Sequence, residues 1–80
     1  VDLRLCPAGT QAEVRWVDLE DDERARLREI GVREGAVVHV VHCGAFGARV
    51  IAVGSDRIAI DGRTCACIGV TPLKSALVPA

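Results

Sequence analysis

The side chains best equipped for chemistry in this 80-residue chain are two histidines and four cysteines. His39, His42 and Cys43 lie close together in sequence. They form a candidate transition-metal set, because imidazole nitrogen and thiolate sulfur suit zinc and neighbouring metals. Cys6, Cys65 and Cys67 are further soft donors. The spacing weakens the metal reading. On a regular strand the adjacent His42 and Cys43 point to opposite faces, with His39 on the side of Cys43. Cys65-x-Cys67 is not the usual Cys-x-x-Cys loop, and no pair of knuckles has zinc-finger spacing. The competing reading is small buried cysteines and partly exposed histidines, with no resident cofactor and only adventitious metal binding.

Catalysis finds less support. Glu20, Asp21 and Asp22 cluster where a helix begins, and carboxylates there serve capping and solvation. There is no Cys–His–Asp set in a recommending context and no phosphate-binding glycine motif. Binding to a partner is better provided for. Arg24 and Arg28 are four apart and share a helical face, while Arg26 points elsewhere. That face is either solvated or a docking surface for an acidic partner. Phe46 stands in a glycine-flanked loop, and Arg49 follows it. Phe46 either packs under the loop or projects as an anchor, since aromatics carry interface energy disproportionately. Arg24, Arg28, Phe46 and Arg49 are the candidate partner-binding residues.

The elements that must position these groups are short. Val1 to Pro7 alternates and reads as an edge strand or extended arm. Pro7-Ala8-Gly9-Thr10 is a turn signal. Ala12 to Val17 alternates again, with Ala12, Val14 and Trp16 on one side. Asp21 to Ile30 reads as a helix with acids first and arginines later, an order that suits the helix dipole. Leu27 and Ile30 point to one side, and Gly31 can take the left-handed conformation that ends a helix. Ala36 to Val41 predicts a mostly buried strand. A loop from His42 to Ala48 leads to strands at Arg49–Val53 and Arg57–Ile60, joined by Gly54-Ser55-Asp56. Asp61 to Cys67 is a turn and a short helical or irregular segment. Ile68–Thr71 closes the set, and Pro72 onward reads as a tail.

About five short strands and one helix predict a mainly β fold, a small, partly open barrel. The chain is one domain, residues 1–80, with a core of about 3–71 and a tail at 72–80. Half of its residues are apolar, yet only Trp16 and Phe46 are aromatic. The net charge of −1 and the scarcity of aromatics disfavour an RNA-associated barrel, with a local patch of Arg24, Arg26, Arg28 and Arg33 as the one basic alternative. No apolar run approaches the roughly 18–20 residues of a membrane span, and no signal peptide is evident. A soluble cytoplasmic protein with reduced cysteines is expected.

The run Arg24-x-Arg26-Leu27-Arg28-Glu29-Ile30-Gly31-Val32-x-x-Gly35-x-x-Val38-x-Val40-Val41 resembles the helix–turn–strand signature of FeoA, the small accessory protein of bacterial ferrous iron transport. Pro7, Gly9, Gly47, Gly54, Ile58-Ala59-Ile60, Cys65, Ile68 and Val70 continue the likeness from about Leu3 to Thr71. Cys65 stands where the family has a small residue, which makes it the first candidate for packing. Glu34 replaces a common proline, Ala45-Phe46-Gly47-Ala48-Arg49 replaces the usual Pro-Leu-Gly-Asp-Pro loop, and Asp61 replaces a basic residue. The resemblance implies an SH3-like barrel without catalysis. It implies an adaptor or regulator at the inner face of the membrane, acting on the cytoplasmic GTP-binding domain of the FeoB-type ferrous iron permease, with homo-oligomers as a further option and no membrane insertion. The alternative it implies is the SH3-like regulatory domain of a DtxR-type iron-dependent repressor.

Overall fold

The computed structural model describes residues 1–75. Strands β1 (Thr10–Val17), β2 (Val37–Cys43), β3 (Arg49–Val53), β4 (Asp56–Ile60) and β5 (Ile68–Ser75) form one antiparallel sheet, ordered β4-β3-β2-β1-β5. Helix α1 (Asp21–Glu29) follows β1, and a single helical turn, α2 (Gly62–Cys65), follows β4. All five strands send side chains into one core, including Val14, Val38, Ile51, Ile60 and Ile68. A flat sheet could not do this, so it curves into the expected small SH3-like barrel, left partly open with β4 and β5 as its edges. Each fully buried valine, leucine or isoleucine contributes about 1.5–3 kcal/mol.

Two bulges set which residues face that core. Val14 pairs with Val70 and Trp16 with Gly69, so Arg15 is an extra residue in β1. The extra residue reverses the alternation. Val17 therefore turns inward and is buried, while Trp16, expected on the side of Ala12 and Val14, is 47% exposed. In β2, Val40 pairs with Ile51 and His42 with Val50, leaving Val41 as the extra residue. β2 is also less buried than predicted. Val38 and Val40 point inward, but among the described residues nothing buries Val37 and Val41, which are exposed.

The N-terminal arm differs from a strand. Leu3–Leu5 forms one 3-10 turn, capped by the Asp2 carboxylate, which accepts from the Arg4 amide at 2.9 Å. The turn breaks the period of two, so Leu3 is buried while Val1 and Leu5 lie open. Contact with the sheet survives through the Val70 amide, which donates to the Val1 carbonyl at 2.8 Å. At the other end β5 outruns its expected limit. Pro72 pairs with Ala12, and pairing continues to Ser75 opposite Thr10. A proline is tolerated because β5 is an edge strand. The remainder of the expected tail, 76–80, lies outside the described residues.

Helix α1 begins with Asp21, Asp22 and Glu23 and buries no residue fully. Leu27 packs against the core, but Ile30, expected beside it, is at the exposed end of the helix. The reason is the cap. The Gly31 amide donates to Arg28 O at 3.0 Å and the Val32 amide to Leu27 O at 2.9 Å, with Gly31 at φ +102°. This is a Schellman closure, and the buried Val32 takes the inward position beside Leu27.

Among the described residues one buried side-chain polar atom is unmatched: the Thr10 hydroxyl has no hydrogen-bond partner there. Thr10→Val keeps the shape and removes that group. We expect a gain of about 1 kcal/mol, read as a higher urea midpoint with an unchanged slope.

Candidate functional site

Among the described residues, the loop from Gly44 to Ala48 carries the most exposed large hydrophobic side chain. Phe46 is 99% exposed and takes a left-handed backbone, φ 56° and ψ 36°. It projects; it does not pack under the loop. Such a conformation costs a non-glycine residue about 1–2 kcal/mol, and an exposed ring returns no burial. The surroundings hold it there. The Gly44 amide donates to Ala48 O at 2.9 Å, closing the loop base. Gly62 approaches so closely that a Cβ there would collide with the Phe46 carbonyl oxygen. Gly47, at φ +83°, lies against the aliphatic part of Arg4.

Arg49 braces the same loop. Its Nε donates to Cys6 O and its Nη1 to Ala48 O, both at 2.8 Å, and its Nη2 donates to Arg4 O. The guanidinium thus ties the N-terminal turn to β3. Its part in the site is positioning Phe46, while the expected direct use in partner binding would require breaking these bonds. Beneath, the Asp61 carboxylate caps α2, accepting from the Thr64 amide at 2.7 Å. That bond holds the carboxyl below its ordinary pKa. The Arg4 side chain does the same for Asp2.

Arg24 and Arg28 do share a face. Together with Arg33 and Glu34 they line a cleft of about 390 Å³ floored by Val17 and Val32. Arg24 pairs with Asp21 at 3.0 Å. The structure does not unite this cleft with the Phe46 loop, and the two share no lining residue.

The candidate metal ligands are redistributed by the bulge at Val41. His39 pairs with Ala52 and His42 with Val50, two positions apart on regular β3. The histidines therefore share the outer face, and Cys43 turns to the other, where its Sγ lies 3.8 Å from Cys6 O. This corrects the expected grouping of His39 with Cys43. Among the described residues no three His, Cys, Asp or Glu side chains gather around one point. All four cysteines are free. Cys6 and Cys65 are buried, and burial pushes the Cys65 thiol up to about 11 and the Cys6 thiol also upward.

Sequence reasoning missed Gly62 and Trp16 as contributors. Gly62 sits in an Asp-Gly turn signal that gave no hint of what it touches. Trp16 could be placed only with the bulge at Arg15.

With this geometry the comparisons are specific. A family profile described as FeoA domain matches residues 1–72. The chain belongs to the FeoA family. That family is linked to ferrous iron transport as an accessory domain and is not a known enzyme family. A crystal structure of the iron uptake regulatory protein FeoA is 26% identical with a TM-score of 0.80, covering 91% of this chain and 96% of the other. The FeoA protein of Chlorobium tepidum is 25% identical with a TM-score of 0.84, covering 92% and 71%. FeoA of Stenotrophomonas maltophilia, a prokaryotic SH3 domain protein crystallised with zinc, is 29% identical with a TM-score of 0.72, covering 89% of each chain. None of the curated proteins matches the chain.

Two expectations follow. Native-state alkylation should label exposed Cys43 first and half-buried Cys67 more slowly, with Cys6 and Cys65 reacting only on unfolding; mass spectrometry over time reads the order. The capping carboxylates Asp2 and Asp61 have folded pKa values below the ordinary 3.8. Their stabilisation is therefore complete above that value and is lost as pH falls through the lower folded values. Thermal unfolding of wild type should lose stability more steeply below pH 3.8 than Asp61→Asn, which has no carboxylate to titrate there.

Proposed function

We propose that this FeoA-family chain is a non-catalytic adaptor of ferrous iron uptake. It acts in the cytoplasm, beside the inner face of the membrane, on the GTP-binding domain of a FeoB-type permease. The reading needs no resident cofactor. No helix among the described residues is long and apolar enough to cross a membrane.

One observation carries the reading: Phe46 is fully exposed, yet its backbone is strained and braced from beneath. A residue that stabilised the fold would be buried. A residue of no consequence would relax into an ordinary conformation or be glycine, as the next residue, Gly47, is. A rigid, projecting aromatic ring suits insertion into an apolar pocket of a partner, with little ordering entropy lost on binding.

Phe46→Gly separates stability from recognition. Removing the left-handed strain gains about 1–2 kcal/mol, and glycine's extra unfolded freedom offsets about 0.5–1 kcal/mol. Its melting temperature should therefore match or slightly exceed that of wild type. In a pull-down with the cognate permease's GTP-binding domain, wild type should bind and Phe46→Gly should lose at least tenfold in affinity. Full binding by the variant would remove the loop from the interface. Absence of binding by wild type with GTP, with GDP and without nucleotide would sink the adaptor reading.

A further inference from the structure

The arginine cleft does not end at α1. It shares Val17 and Glu34 with a second depression lined by Trp16 and Asp18, so the two form one continuous groove. Its ends differ chemically. Arg24, Arg28 and Arg33 stand at one end, Val17 and Val32 form the floor, the half-exposed Trp16 closes the other end beside Asp18, and Glu34 borders both parts.

The geometry points to this groove as a docking site for an extended acidic peptide segment of a protein partner, its carboxylates on the arginines and an adjoining apolar side chain on Trp16. This deepens the adaptor reading and rests on it for the partner's nature, but it uses a surface separate from Phe46.

Charge complementarity selects the occupant. Three arginines and a single acidic residue, Glu34, line one cleft of a chain whose net charge is −1, which leaves the cleft an excess of positive charge. Arg28 and Arg33 have no ion-pair partner among the described residues, and Arg24 has only the surface pair with Asp21. Arg24 and Arg28, four apart, repel one another on the free helix. An incoming carboxylate relieves that repulsion, and the planar guanidinium binds it through paired hydrogen bonds. A nucleic-acid strand fits less well. Its phosphates continue at regular intervals, whereas Asp18 stands at the Trp16 end of the groove and Glu34 where the two parts join. A peptide can carry acids at one end and an apolar residue at the other.

Trp16 is the chain's single tryptophan, so the groove contains its own optical reporter. The test is a dye-labelled synthetic peptide with glutamates at one end and leucine at the other, titrated into the whole protein. Binding is read by anisotropy of the dye, and its location by Trp16 emission in an unlabelled titration. We expect saturable binding, a shift in Trp16 emission, and at least a tenfold loss in Arg28→Glu/Arg33→Glu, with its fold verified by circular dichroism. Raising salt should weaken the binding. Several results would overturn the proposal: no saturable binding, equal binding of a peptide with glutamine in place of glutamate, no effect of the double substitution, or tighter binding of a single-stranded RNA oligonucleotide to the same arginines. The Phe46 pull-down reports independently. Peptide binding with a failed pull-down leaves the groove standing without the permease, and the reverse result removes the groove alone.

Discussion

One extra residue in β1 governs much of this molecule. Without Arg15 as a bulge, Trp16 would point into the core and Val17 out of it. A ring of that size would overfill a core built from valine, isoleucine, leucine, alanine and cysteine. The bulge instead lays Trp16 over Gly69, where a side chain of any size would collide with the indole. Gly69 and Trp16 thus define each other across the sheet. Val17, turned inward, becomes both core and groove floor. The choice between packing and recognition is made here by backbone register, before any side-chain chemistry enters.

The same logic explains what the sequence could and could not disclose. The strands were legible where period two was uninterrupted, as at Arg49–Val53 and in the Arg57–Ile60 part of β4. Helix α1 was legible because its charges and its stop signal agree: acids first, arginines later, then Gly31. Positions beyond a bulge were not legible. Trp16, His42 and Cys43 all lie at or after an inserted residue, and strict alternation assigns each to the wrong face. The N-terminal arm failed for a different reason. Its alternating pattern was real, but the local bond between the Asp2 carboxylate and the Arg4 amide outweighed it.

The candidate site was legible in kind more than in arrangement. Arg24 and Arg28 share a face, as their spacing requires, and Phe46 is the projecting residue of its loop. Spacing alone could not reveal which of Arg24, Arg26, Arg28 and Arg33 share one cleft: Arg33, from the turn after α1, joins Arg24 and Arg28, and Arg26 does not. Nor could it reveal that the donors of Arg49 are taken up by carbonyls of the N-terminal arm and its own loop. Both depend on which segments the fold brings together. The family resemblance supplied the barrel but not these details, because the Phe46 loop is where this chain departs from the family pattern.

Strand β3 connects the two exposed surfaces. At its last residue, Val53 lies against Gly31, so close that a Cβ on the glycine would sit 2.9 Å from Val53 Cγ1. At its first residue, Arg49 holds the Phe46 loop. The strand has five residues, which sets its ends about 13 Å apart. A pleated, core-anchored segment of this kind does not stretch. It works as a ruler, fixing the interval between the aromatic knob and the turn that closes the arginine helix. A binder whose own pocket and acidic segment match that interval engages both at once, the second contact being intramolecular once the first is made. A binder with either feature alone, or with both at another interval, gains only one contact. On the two docking readings proposed above, discrimination resides in a distance set by the length of one strand.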